Sequence, residues 1–257
     1  AALPLACAVA LAAILLCWIL AHLAPAIMSP DANGYVVQAR LLAEEGSTSF
    51  ATESPVQYVG MHWLETERGV FHSRYPAGLP LLMAGAWKIG GLGAALTINP
   101  LLASATVFPV FLLARRFVGG IYALIAAAVV AAVPVTNQHA LDADAHVAAA
   151  FFLVGGVLAL LRFEDRVRGQ TSGRDARATT VTGLLAGALL GTVPAIRYPE
   201  AIVGVTNAGW LFWRVRPLLQ VWPAVAGAAL PIGALGLHNA AAYGAFWKTG
   251  YTLTNEQ

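Results

Sequence analysis

The chain has 257 residues, of which 58% are hydrophobic and only 11% charged, and its mean hydropathy is +0.69. Those values lie far outside soluble-domain usage and exclude water as its main solvent. A formal net charge of +2 is too small to indicate nucleic acid as a partner, so the placement of the charges matters more than their sum.

The first apolar run, residues 3–27, holds about 20 apolar residues, enough to span a bilayer and more than a signal-peptide core contains, so a retained helix is predicted. Both cysteines, Cys7 and Cys17, lie in it. They stand ten residues apart on one helix, which excludes a disulfide between them. Further runs able to cross about 30 Å of hydrocarbon at about 1.5 Å per residue occur near 94–114, 120–136, 145–161, 179–196, 199–213 and 217–238. The expectation is an all-α polytopic membrane protein of about seven transmembrane helices, forming one transmembrane domain over residues 1–257. The chain starts without Met inside an apolar run and stops in a polar stretch, which reads as a piece of a longer protein.

The apolar stretch 76–91 is shorter and is interrupted by Pro76, Pro80, Lys88 and the pair Gly90-Gly91. Loop charge decides its role, because Lys and Arg accumulate on the cytoplasmic side of a membrane. If 76–91 does not cross, Arg115-Arg116, the stretch Arg162 to Arg177 and Arg214 to Arg216 all fall on one side. The opposite side then collects Asp31, Glu44, Glu45, Glu53, Glu65, Glu67, Asp142, Asp144 and Glu200. If 76–91 does cross, Asp31 is parted from Asp142 and Asp144. The stretch is therefore predicted to be a re-entrant or interfacial helix within a long first outer loop, residues 28–93. That loop also holds an amphipathic helix around 34–45, with Tyr35, Val36, Ala39, Leu42 and Ala43 on one face and Gly46 as its stop. Residues 163–178 form a cytoplasmic loop that turns at Gly169-Gln170-Thr171-Ser172-Gly173.

Ionisable groups at a membrane boundary are costly and tend to be functional. Asp31 directly follows the first helix in "SPDANGYVVQARLLAEEG", and Asp142 with Asp144 precedes the fourth in "HALDADAHVAAAFF". Convergent carboxylates from two such loops suit proton abstraction from an acceptor or the holding of a divalent cation, magnesium or manganese. An aspartate at a helix start also serves as N-cap or dipole partner, and Asp144 is placed equally well for either role. His62, His72, His139 and His146 are further candidate ligands or proton carriers, each of a type also common as a polar interface residue. Six of the tryptophans, Trp63, Trp87, Trp210, Trp213, Trp222 and Trp247, suit an interfacial belt, with Trp63 in the outer loop set apart.

The order of these segments resembles the GT-C superfamily of polyprenyl-phosphate-dependent membrane glycosyltransferases, which includes protein mannosyltransferases, aminoarabinose transferases and oligosaccharyltransferase catalytic subunits. The resemblance runs over essentially the whole chain. It rests on an Asp after helix one, an amphipathic outer-loop helix, and "FHSRYPAGLPLLMAGAWKIGG", which is similar to the family's H-x-P-x-x-P-L segment. It continues through "FLLARRFVGG", the acidic motif opening the fourth helix, "GLLAGALLGTVPAIRYPEAIV" and "NAAAYGAFWKTGYTL". The resemblance implies that Asp31 deprotonates or orients the acceptor, and that Asp142 and Asp144 form the second acidic motif, metal-binding in the oligosaccharyltransferase branch. Mannosyltransferases carry two adjacent acidic residues in the first loop, whereas here Asp31 is followed by Ala32.

A lipid-phosphate sugar donor keeps its tail in the bilayer and its phosphate at the boundary, where cations must neutralise the leaving group. Arg74, Arg197 and Lys248 are the cations on that side, and His72, Tyr75 and Tyr251 complete the expected substrate-binding set. Arg197 beside Tyr198-Pro199 is also placed to snorkel to the interface. The expected partners are a polyprenyl-phosphate sugar, a protein, lipid or glycan acceptor, and the bilayer. A secondary transporter or lipid flippase is the competing expectation. It predicts polar groups at mid-bilayer on broken helices, for which Pro109, Pro134, Pro194 and Pro231 are the available break points.

Overall fold

A computed structural model describes residues 2–24, 26–27, 29–52, 62–169 and 173–254. Glu53 and most of the predicted turn at 169–173 lie outside the described residues. The described chain is predominantly α-helical, with one small sheet. In chain order its elements are α1 (Ala2–His22), α2 (Pro30–Glu44), β1 (Ser49–Ala51), β2 (Trp63–Glu67), β3 (Val70–Ser73), α3 (Gly78–Leu96) and α4 (Ile98–Ala114). They continue with α5 (Gly120–Ala132), α6 (Pro134–Leu141), α7 (His146–Arg168), α8 (Gly173–Ile196), α9 (Ala201–Arg214), α10 (Trp222–Tyr243) and α11 (Gly250–Leu253).

Five helical stretches are long and apolar enough to cross a membrane: α1, α3, α7, α8, and α10 with the turn before it. The bent pair α5 and α6, which meet at 55° beside Pro134, makes a sixth if it counts as one span. Two predicted spans are shorter than expected. Helix α4 has 17 residues and α9 has 14, which at 1.5 Å per residue give about 26 and 21 Å against about 30 Å of hydrocarbon. Helix α3, read from sequence as not crossing, meets the length and apolarity test over its 19 residues. Its helical geometry nevertheless breaks at Gly90-Gly91, where Gly91 takes φ 63° and ψ −153°, a conformation open to glycine. Pro109, Pro194 and Pro231 lie inside continuous helices, so of the four prolines only Pro134 sits at a break.

The core is built from small residues. Helices α1, α4 and α5 meet through Ala8, Ala12, Ala103, Ala123 and Ala127, filled in by Phe111 and Ile19. Helices α8 and α10 cross backbone to backbone: a Cβ added at Gly187 would lie 1.9 Å from the Ala224 carbonyl oxygen. Small residues that admit such an approach are the usual means of packing helices in lipid.

Two ends are chemically distinct. At one, Arg116 pairs with Asp165 through both terminal guanidinium nitrogens, and buried Glu164 is ion-paired with Arg168 at 3.0 Å and accepts from Arg214 at 2.9 Å. The three basic stretches thus meet, as their loop charges predict. At the other end, Ala32 of α2 shares one buried cluster with Ala143 and Ala145 of the α6–α7 connection. The Asp31 segment and the Asp142–Asp144 segment therefore lie at the same end.

The described residues between α1 and α3 hold more structure than their composition announces. Helix α2 begins at Pro30, with the Ser29 hydroxyl accepting from the Ala32 N–H, so Asp31 stands in its first turn instead of ahead of a helix start near 34. The helix stops at Glu44, and Gly46 follows at φ 69°, in keeping with its predicted role. Its buried face includes Tyr35, Val36 and Ala39 as expected, together with Gln38. The strands form an antiparallel sheet in the order β1-β3-β2, with Phe50 opposite Phe71.

Candidate functional site

Asp31 is held by side chains from the stretch between α2 and α3. The Tyr75 hydroxyl donates to Asp31 Oδ1 at 2.7 Å and lies 2.8 Å from His62 Nδ1. A phenol has one proton, so with that proton given to Asp31 it accepts from a His62 Nδ1–H, which sets the tautomer. His62 Nε2 stands 3.7 Å from the same oxygen, Asp31 Oδ1. Both contacts engage Oδ1, and the Asp31 side chain remains 50% exposed, so Oδ2 is the oxygen open to an incoming proton.

Tyr75 is the hub of this region. Its ring stacks on Tyr35 at 4.5 Å and meets Tyr251 edge-on at 6.1 Å, and Tyr198 contacts Tyr251 from the other side at 5.5 Å. The Arg74 guanidinium lies over Tyr75 and Tyr251, at 5.2 and 5.5 Å from their centroids. Gly250 brings Tyr251 there: a Cβ at that position would stand 2.2 Å from the Arg74 carbonyl oxygen. Burial raises the Tyr251 hydroxyl above its ordinary pKa, Arg74 and Arg197 act against the rise, and Asp31 and Glu200 add to it. Burial and the bond to Asp31 likewise push Tyr75 up, so both phenols stay protonated donors at neutral pH.

Five of the predicted residues, Asp31, Arg74, Tyr75, Arg197 and Tyr251, thus act on one another in one place. Arg197 is ion-paired with Glu200, and Tyr198 beside it donates to Asn239 at 2.9 Å. His72 turns elsewhere, edge-on to Tyr243 at 6.4 Å, and burial lowers its pKa against an opposing pull from Glu67. Lys248 is exposed on the connection from α10 to α11 and has no side-chain hydrogen bond or ion pair among the described residues.

The second acidic motif has a different environment from the one expected. Asp142 turns Oδ1 back onto the Ala143 N–H at 2.8 Å. Asp144, 5% exposed, faces two imidazoles: His139 Nδ1 meets Oδ2, and His146 Nδ1 lies 3.1 Å from Oδ1. Burial of Asp144 works to raise its pKa, but the bonds from the His146 side chain and backbone and from His139 outweigh it and hold the carboxyl below its usual range. Among the described residues, the group whose ligand atoms all lie within 4.8 Å of one another is His139, Asp144 and His146, and Asp31 and Asp142 stand outside it. The set gathered around Asp144 is therefore not the three carboxylates expected to share a magnesium or manganese ion. The physical reason is local: Oδ1 of Asp31 is taken by Tyr75, and Oδ1 of Asp142 by its neighbour's N–H.

Sequence reading missed Asn99. This buried side chain donates to the carbonyls of Asp142 at 2.7 Å and Asp144 at 2.8 Å and fixes the loop, yet one Asn at the start of an apolar helix announces nothing. An apolar cavity of about 470 Å³ runs between α8, α9 and α10, lined by Gly191, Pro194, Ala201, Ala208 and Ala228.

Comparison with known protein families, with curated proteins and with solved structures finds no match.

Proposed function

We propose that this chain is the membrane part of a multi-pass glycosyltransferase that takes a sugar from a polyprenyl-phosphate donor and transfers it to a protein, lipid or glycan acceptor on the extracytoplasmic side. The observation that carries the reading is the half-exposed carboxylate of Asp31 beside Arg74, Tyr75, Arg197 and Tyr251. A base and two cations at one end of an apolar bundle match the charges of the reaction.

In this scheme Asp31 Oδ2 takes the proton from an acceptor O–H or N–H. The freed oxygen or nitrogen forms a bond to the anomeric carbon as that carbon's bond to phosphate oxygen breaks, and the electron pair leaves with the lipid phosphate. A single displacement inverts the anomeric centre. Arg74 and Arg197 neutralise the negative charge that develops on the phosphate. Tyr75, itself bonded to His62, holds Asp31 in position. The apolar cavity between α8, α9 and α10 suits a hydrocarbon tail, since it offers almost no polar lining.

The test is a transfer assay with radiolabelled polyprenyl-phosphate sugars, comparing the full-length protein with Asp31→Asn. The reading requires transfer by the parent and its loss in the variant. Full activity in the variant removes Asp31 as base. Liposome uptake of a solute without any sugar transfer replaces the reading with a transporter.

A further inference from the structure

We propose that His139, Asp144 and His146 form a binding site for one divalent transition-metal ion of the zinc class. The proposal stands on its own geometry and does not depend on the glycosyltransferase reading.

Three ligands of two types meet here from two helices and the turn between them. His139 lies in the last turn of α6, Asp144 in the connection, and His146 at the first position of α7. The imidazoles stack face to face, with centroids 4.1 Å apart and planes 18° apart, so both present Nδ1 to the same carboxylate. Ligand atoms bound to one tetrahedral zinc at about 2.0–2.1 Å stand about 3.3 Å from each other. The His146 Nδ1 to Asp144 Oδ1 separation is 3.1 Å, and the three ligand atoms all lie within 4.8 Å of one another. Small adjustments of side chains then suffice for coordination.

The surroundings are those of a formed site. Asn99, itself buried, donates to the backbone carbonyls of Asp142 and Asp144 and, more weakly at 3.4 Å, to that of His139, so one side chain pins the backbone of two of the three ligands. Asp144 is buried, whereas the side chains of His139 and His146 are 28% and 40% exposed, which leaves a path for an ion and a position for water. Two imidazoles and one carboxylate favour zinc and its neighbours over magnesium, which prefers oxygen ligands and retains its waters. Without a metal, the His139 imidazole bonds the Asp144 carboxylate while the buried His146 Nδ1, 3.1 Å from it, makes no hydrogen bond, and a purely structural His139–Asp144 pair is the outcome the experiment must separate.

The full chain in detergent micelles, stripped with a chelator, is titrated with zinc and separately with magnesium. The expected result is about one zinc per chain, bound at least tenfold more tightly than magnesium. His139→Gln and His146→Gln should each weaken zinc binding at least tenfold, the lower end of the range for losing even an outer partner of a metal site. His22→Gln, at an exposed histidine bonded to the Trp18 carbonyl, should leave binding unchanged. Cobalt substitution supplies a second readout, since coordinated cobalt gains visible absorption that the double variant His139→Gln/His146→Gln should lack. Absence of zinc binding by the parent chain overturns the proposal without reference to any variant. Equal binding by the folded double variant overturns it as well.

Discussion

The basic end and the Asp31 site treat their charges in different ways. At the basic end acid meets base directly: Glu164 sits between Arg168 and Arg214, and Asp165 holds Arg116. At the acidic end Asp31 rests on a phenol and an imidazole, and Arg74 lies over tyrosine rings. Direct pairs cancel charge and fasten helices together. A phenol holds the Asp31 charge in place without cancelling it, which leaves it available to a ligand. One end is thus built to stay closed, and the Asp31 site to meet something.

The sharpest way to break this contrast is to remove the charge at Asp31. Asp31→Asn keeps the shape and the Tyr75 bond but cannot take a proton, so sugar transfer should fall by at least about 100-fold, within the range for losing a general base. Thermal unfolding in detergent should barely change, because the side chain is half exposed. A large loss of stability with unchanged transfer would make Asp31 a fastening like those at the other end.

The basic end should respond the other way. Glu164→Gln leaves Arg168 and Arg214 facing a neutral amide. Breaking a fully buried pair costs about 3–5 kcal/mol, and the partial exposure of both arginines (side chains 48% and 34%) reduces this to about 2 kcal/mol. The check is a lowered unfolding temperature with the transfer rate per folded molecule preserved.

Much of this polarity is legible in the sequence because charge asymmetry between loops is a one-dimensional signal. Arg115-Arg116, Arg162–Arg177 and Arg214–Arg216 gather on paper, and Arg116, Arg168 and Arg214 gather in space around Glu164 and Asp165. The stop of α2 at Gly46 is legible for a similar reason, since only local backbone geometry is at stake. What depends on tertiary context is not. The strands of three to five residues exist through each other's hydrogen bonds and the packing of Phe50 on Phe71 and Trp63. Asp31 was legible as a candidate, but its partner Tyr75 is 44 residues away, and no spacing rule connects them. His139, Asp144 and His146 are close in sequence, yet they converge only because the chain turns between α6 and α7 under the hold of Asn99. Reading the three carboxylates as one set overlooked that each one's nearest polar group competes for it.

A smaller effect tests whether Asp31 needs its neutral partners. Tyr75→Phe keeps the stacking on Tyr35 and removes the hydroxyl that joins Asp31 and His62. One hydrogen bond to a charged group is worth about 1.5 kcal/mol, so transfer should drop about tenfold. The loss should appear in the rate constant at saturating donor more than in donor affinity, because the phenol acts through the base. A drop confined to donor affinity would instead assign Tyr75 to binding the phosphate.

The smallest expected effect lies at the basic surface and sharpens the contrast from below. Asp165→Asn removes the partner of Arg116, with the Asp165 side chain 56% exposed and the guanidinium 29% exposed. Solvent and salt screen such a pair, so its loss should lower stability by at most about 1 kcal/mol. That difference should shrink further as ionic strength rises, because the screening length falls to about 3 Å at 1 M salt. Unfolding temperatures of the two proteins at low and high salt give the measurement. Transfer should be unaltered in both conditions, since the pair sits at the end away from Asp31. A salt-dependent loss of transfer in Asp165→Asn would mean that the fastening at one end sets the geometry of the site at the other, and the two ends would then have to be treated as one coupled unit.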